Sequence, residues 1–171
     1  MSFGDRFGLL PSDYDAAEQI VRQYSAAIGI NTPEIYGIGL SDRDDAVGVK
    51  GVTDLTDPDR PVRIYDRYWD RCLSDAQSAE LLNTFIHETM HFNSSALDRF
   101  LLKNFQDKGQ LEGVGTGIGD RIHDSIYAQS RAYTNMLNRE FQALRRELLE
   151  KNRGDYMDPK WGYPEACGCL E

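Results

Sequence analysis

Phe85-Ile86-His87-Glu88-Thr89-Met90-His91-Phe92 is the stretch on which the reading of this 171-residue chain turns. Its H-E-x-x-H spacing makes chemical sense on a helix, where residues i and i+4 lie about 40° apart around the axis and about 6 Å apart along it. His87 and His91 then leave one face and can meet at a single tetrahedral cation. Glu88, about 100° round from His87, cannot easily ligate the same ion, but it can reach a water there and act as a general base. With three His and ten Glu in the chain, random placement would give this pattern about 0.003 times, so the spacing is unlikely to arise by accident.

The flanks carry a helical signal of their own. Leu81, Leu82, Phe85, Ile86 and Met90 recur at helical spacing, which would bury one side of the helix and leave the histidine side toward a cleft. Ser74 followed by Gln77 reads as a capping box that opens the helix, and the pattern continues to about Lys103.

Outward from the motif, the organisation is α+β: short strands are crowded before the helix and helical sequence follows it. Asp13 to Ile28 reads as a first amphipathic helix with Ala17, Ile20, Val21, Tyr24 and Ala27 on one side. Glu34 to Leu40, Ala46 to Val52 and Pro61 to Tyr65 are β-branched or aromatic runs separated by turn-rich acidic stretches. The glycine-rich run Gly113 to Gly119 follows a helix rather than a strand, so it reads as a rim of the site and not as a dinucleotide fingerprint. Asp120 is expected to cap a last long helix that reaches about Asn152 and ends at Gly154, leaving residues 153–171 as an irregular tail. The whole is read as a single domain, 1–171.

A formal charge of −9 and a pI near 4.8 argue against nucleic acid as a partner. No apolar run has the length of a membrane span, and Met1-Ser2-Phe3-Gly4-Asp5-Arg6 lacks the basic start and apolar stretch of a signal peptide. Cys72, Cys167 and Cys169 read by default as free thiols, with a disulfide from Cys72 to the tail as the alternative.

The third ligand must come from elsewhere in the chain. Counting from His123 along the last helix gives Tyr127, Ser130, Thr134, Leu137, Phe141, Leu144 and Leu148, an increasingly apolar stripe that should face inward. Counting from Asp124 gives Ala128, Arg131, Asn135, Asn138, Gln142 and Arg145, a stripe suited to solvent. His123 is therefore the expected ligand, with Asp124 and the more distant Glu140 as alternatives. Tyr127, four residues after His123, is expected either to donate to a substrate oxyanion or to be a core tyrosine.

Val62-Arg63-Ile64-Tyr65, the aromatic pair Tyr68-Trp69 and Leu82 through His91 together resemble the edge strand, aromatic segment and active-site helix of the zincin metallopeptidases. Asp124-Ser125-Ile126-Tyr127 is similar to the D-x-x-Y of the aspzincins, with Ala128 standing where those enzymes carry glycine. The resemblance implies a zincin-like fold, a small antiparallel or mixed sheet followed by the motif helix and a long C-terminal helix. It also implies Zn2+ as cofactor, a protein or peptide substrate, and hydrolysis of peptide or amide bonds through a metal-activated water with Glu88 as general base. A peptidoglycan amidase and a non-catalytic metal-binding module are the alternatives that the same residues allow. In size and architecture the chain also resembles metallopeptidase toxin domains of larger secreted bacterial effectors. That comparison implies delivery as part of a longer protein, against a cytoplasmic location for the chain as written, and a cognate inhibitor or immunity protein as partner.

Overall fold

The computed structural model describes residues 9–39, 50–66, 69, 73–94 and 118–156. Three helices, α1 (Pro11–Ile28), α2 (Asp75–Phe92) and α3 (Ile118–Tyr156), accompany three strands, β1 (Tyr36–Gly39), β2 (Gly51–Thr53) and β3 (Val62–Tyr65). The strands form one mixed sheet in the order β1-β3-β2, with β1 parallel and β2 antiparallel to β3. The run Val62 to Tyr65 is thus the central described strand and not an edge, the edges among the described strands being β1 and β2. The reason lies in its residues: Val62 and Ile64 are both fully buried, and a strand so apolar on one face is best served by neighbours on both sides.

Helix α2 opens as the capping box requires: the Ser74 hydroxyl accepts from the Gln77 amide at 3.1 Å while the Gln77 side chain accepts from the Ser74 amide at 2.9 Å. It ends at Phe92, earlier than the sequence pattern implies, because Asn93 ties its end to the chain leaving α1. The Asn93 amide nitrogen donates to the carbonyls of Asn31 and Thr89, and its oxygen accepts from the Asn31 backbone, each at 2.7 Å. The remaining stretch expected to be helical, from Ser95 to Lys103, lies outside the described residues, as do most of the glycine-rich run and all three cysteines.

Leu81, Leu82, Phe85 and Ile86 of α2 meet Ala16, Ala17, Ile20 and Val21 of α1, Val62 and Ile64 of β3, and Leu137 and Phe141 of α3 in one core. Phe85 is its centre, with Tyr14 edge-on at 5.0 Å and Tyr36 at 5.5 Å between ring centroids. Burial pushes the Tyr36 hydroxyl up to about 12, and that hydroxyl pairs with Thr89 at 3.0 Å on the side of α2 away from solvent. Ala27, placed by periodicity on the inner side of α1, is exposed; Ala16 is buried in its stead.

Helix α3 begins at Ile118, two residues before the expected cap, and runs through Gly154 to Tyr156. Tertiary bonding overrides the glycine stop signal. The Tyr156 hydroxyl accepts from the Ser12 amide at 2.9 Å and shares a hydrogen with the Ser12 hydroxyl at 2.5 Å, so the last turn is anchored to the start of α1. The stripe assigned to solvent is also corrected at its far end: Gln142 and Arg145 are buried. Arg145 pairs with Asp13 at 2.6 Å, both side chains almost wholly enclosed, and donates to the Leu73 carbonyl and to Asp75 at 3.3 Å. Gln142 donates to Ser78 at 2.7 Å. Among the described residues no helix is long and apolar enough to cross a membrane.

Burial raises the Asp13 carboxyl above its usual range, against the opposing pull of Arg145. Replacement by Arg145→Met strands that carboxylate, and the expected loss is about 3–5 kcal/mol at neutral pH in urea denaturation. A carboxyl whose folded-state value is raised binds its proton more tightly when folded, so stability is recovered on acidification. The deficit of the variant should therefore shrink as the pH falls from 7 toward the unperturbed value of 3.8; a deficit independent of pH would show that Asp13 finds another partner.

Candidate metal centre

The histidines reach one point from two helices. On α2, the apolar set faces the core, and His87 and His91 emerge on the side covered by the first described turns of α3. On α3, burial of Ile126, Ser130, Thr134, Leu137 and Phe141 fixes which side faces α2, and His123 lies on that side one turn earlier. His87 Nε2 stands 3.0 Å from His91 Nε2 and 3.0 Å from His123 Nε2. The ring centroids are 4.6 to 5.0 Å apart across the three pairs.

Hydrogen bonding alone accounts poorly for this convergence. A neutral imidazole nitrogen carries either one proton or one lone pair, so His87 Nε2 cannot bond both neighbours well at once. A metal ion satisfies all three lone pairs together. Ligands about 2.0–2.1 Å from a tetrahedral ion stand roughly 3.3–3.4 Å from one another, close to the separations seen, and the three donor atoms all lie within 4.8 Å of one another. Among the described residues, His87, His91 and His123 form a group that could hold a metal ion, His87 buried and the others half-buried.

Asp124 and Glu140, the alternatives for the third position, are not in the group. Asp124 is half-buried, with Oδ1 shielded from solvent and without a hydrogen-bond partner, while Glu140 is exposed.

Glu88 sits on the flank of α2 that meets the sheet. Thr53 of β2 donates through its hydroxyl, which lies 2.8 Å from Glu88 Oε2 and 2.8 Å from the Glu88 carbonyl oxygen. Gly51, two residues earlier, makes this approach feasible: a Cβ there would stand 3.0 Å from both Glu88 Cγ and Thr84 Cγ2. Sequence reasoning found Glu88 and missed Thr53 and Gly51. A glycine inside a strand run is the signal that pointed to a close backbone approach.

Tyr127 lies beside the histidines rather than in the core. It is 37% exposed, with its ring edge-on to His87 at 6.1 Å. Its hydroxyl accepts from Arg131 Nη2 at 2.6 Å, and the Arg131 guanidinium is held in turn by Glu80 at 2.5 and 3.3 Å. These bonds, that from Glu80 foremost, raise the guanidinium above its ordinary value. Arginine has donors only, so the phenol must accept here and its own proton remains to be donated elsewhere.

No protein-family model, curated protein or solved structure matches this chain.

The purified chain is expected to take up one divalent ion, and His87→Ala, His91→Ala and His123→Ala each to lose it, because two remaining ligands seldom hold an ion in water. Asp124→Ala should retain it. Metal analysis after dialysis decides; an Asp124 variant that empties the site while the His123 variant keeps its ion would overturn the ligand set.

Proposed function

We propose that this chain is a zincin-like, zinc-dependent metallopeptidase that hydrolyses peptide bonds of a protein or peptide substrate. The observation that carries the reading is the convergence of the Nε2 atoms of His87, His91 and His123 with Glu88 next in sequence on the same helix. Three imidazoles brought together in this way are a donor set suited to zinc, which would leave a fourth position for water or substrate.

Zinc held by the three histidines would supply a Lewis acid at the scissile carbonyl. The chain's own residues do the rest. Glu88 accepts a proton from the attacking water and passes it to the leaving amine, a transfer that suits a carboxylate beside the ligands and not among them. The Tyr127 hydroxyl donates a hydrogen bond to the developing oxyanion, while Arg131 donates to the phenolic oxygen. By its size and architecture the chain would be delivered as a toxin domain of a larger protein, with an inhibitor protein as partner.

Zinc-loaded protein incubated with fluorescein-labelled casein and, separately, with purified peptidoglycan distinguishes peptidase from cell-wall amidase. Glu88→Gln should keep its zinc and lose at least about a hundredfold in turnover; equal rates would count against a metallopeptidase mechanism, and no turnover by the wild type would leave a non-catalytic metal module. Tyr127→Phe should cost about tenfold to a hundredfold in kcat with an unchanged melting temperature. A loss of stability without loss of rate would make its hydroxyl structural.

A further inference from the structure

We infer that Thr53 is a positioning residue for Glu88, so that the described edge strand β2 sets the direction in which the proposed base works. The inference deepens the peptidase reading and rests on it. A threonine hydroxyl has one proton, and two oxygens of Glu88 lie within its reach at the same 2.8 Å, the carbonyl and Oε2. The carboxylate is the stronger acceptor because its bond is charge-assisted. The Thr53 bond thereby orients the carboxylate through Oε2.

The surroundings leave the carboxylate few other ways to sit. Gly51 abuts Glu88 Cγ: a Cβ there would stand 3.0 Å from it, so a larger residue would press on the Glu88 side chain. Thr53 itself is fixed by pairing with Val62, a fully buried residue of the central strand. The Glu88 side chain, 9% exposed, is thus set from the sheet side, while the histidines project toward α3. An unrestrained glutamate side chain samples several rotamers, and a base must lie within hydrogen-bond reach of the proton it takes. The Thr53 hydroxyl on the neighbouring strand restricts that freedom.

The alternative is that Thr53 merely staples β2 to α2. Three measurements separate the roles. On fluorescein-labelled casein with zinc-loaded protein, Thr53→Val should lower kcat about tenfold with KM changed less than about twofold, and Thr53→Ser should restore most of the lost rate. Combined with Glu88→Gln, Thr53→Val should cause no further loss, because the base it positions is already gone. In metal-free protein, proton NMR should find the Thr53 hydroxyl proton downfield and slow to exchange, moving upfield in Glu88→Gln as the bond loses its charge. Losses that multiply in the double variant, a wild-type rate in Thr53→Val, or a hydroxyl resonance indifferent to Glu88 would each overturn the assignment while leaving the peptidase reading standing. A wild type that cleaves no casein sinks that reading and this assignment with it.

Discussion

Histidines can hold a metal from a helix only when that helix is immobilised through its other faces, since a ligand set loosened by an ångström loses much of its geometry. Helix α2 meets this condition with apolar packing on one side and polar pins at both ends. Phe85, Leu81, Leu82 and Ile86 are without solvent contact. Ser74 and Gln77 close the N-terminus, and Asn93 closes the C-terminus onto Asn31. Thr53 and Gly51 press from the sheet. What is left is the side carrying His87 and His91, and α3 comes to it.

Helix α3 poses a mechanical problem of its own. It is 39 residues long, roughly 58 Å at 1.5 Å per residue, and His123, its member of the candidate metal group, sits near its beginning. The polar bonds that fix it lie far along: Arg145 is 22 residues beyond His123, about 33 Å away. There it joins Asp13 of α1 to Asp75 and the Leu73 carbonyl at the entrance of α2, while Tyr156 is bonded to Ser12. Between these pins and the site, Ser130, Thr134, Leu137 and Phe141 keep α3 seated along its length. A buried ion pair contributes little net stability against an apolar replacement, but it permits few alternative registers. For a helix that must deliver one imidazole to within 3.0 Å of another, register is the quantity that matters.

The parts of the molecule legible in the sequence are those set by local periodicity and capping. The α+β order, the capping box and the inward stripe through Leu137 and Phe141 all depend on residues within a few turns of one another. The structure brings His123 beside His87 for the same reason, because the stripe defined its side of the helix. Long-range polar pairing was not legible. Arg145 and Gln142 look like surface residues to any pattern based on hydropathy, and their burial depends on Asp13, 132 positions away from Arg145, and on Ser78. Gly154 carries a stop signal that a tyrosine two residues later cancels through Ser12. The place of Val62–Tyr65 within the sheet likewise depends on a strand, β2, whose three described residues carry almost no pattern of their own.

The donor set also bears on how labour is divided at the site. A carboxylate ligand such as Asp124 would neutralise part of the charge of a divalent ion, whereas three neutral imidazoles leave it whole. Attraction in a half-enclosed site is stronger than in water, so an anion left beside such an ion is drawn toward it unless something else holds it. Glu88 is next to His87 in sequence, and Thr53 supplies a bond that would compete with such an ion. A carboxylate captured by the ion would be a fourth ligand and no longer a base. Under the proposed reading, the Thr53 hydroxyl would therefore do more than orient Glu88: it would oppose the pull that a bound cation would exert on the proposed proton acceptor.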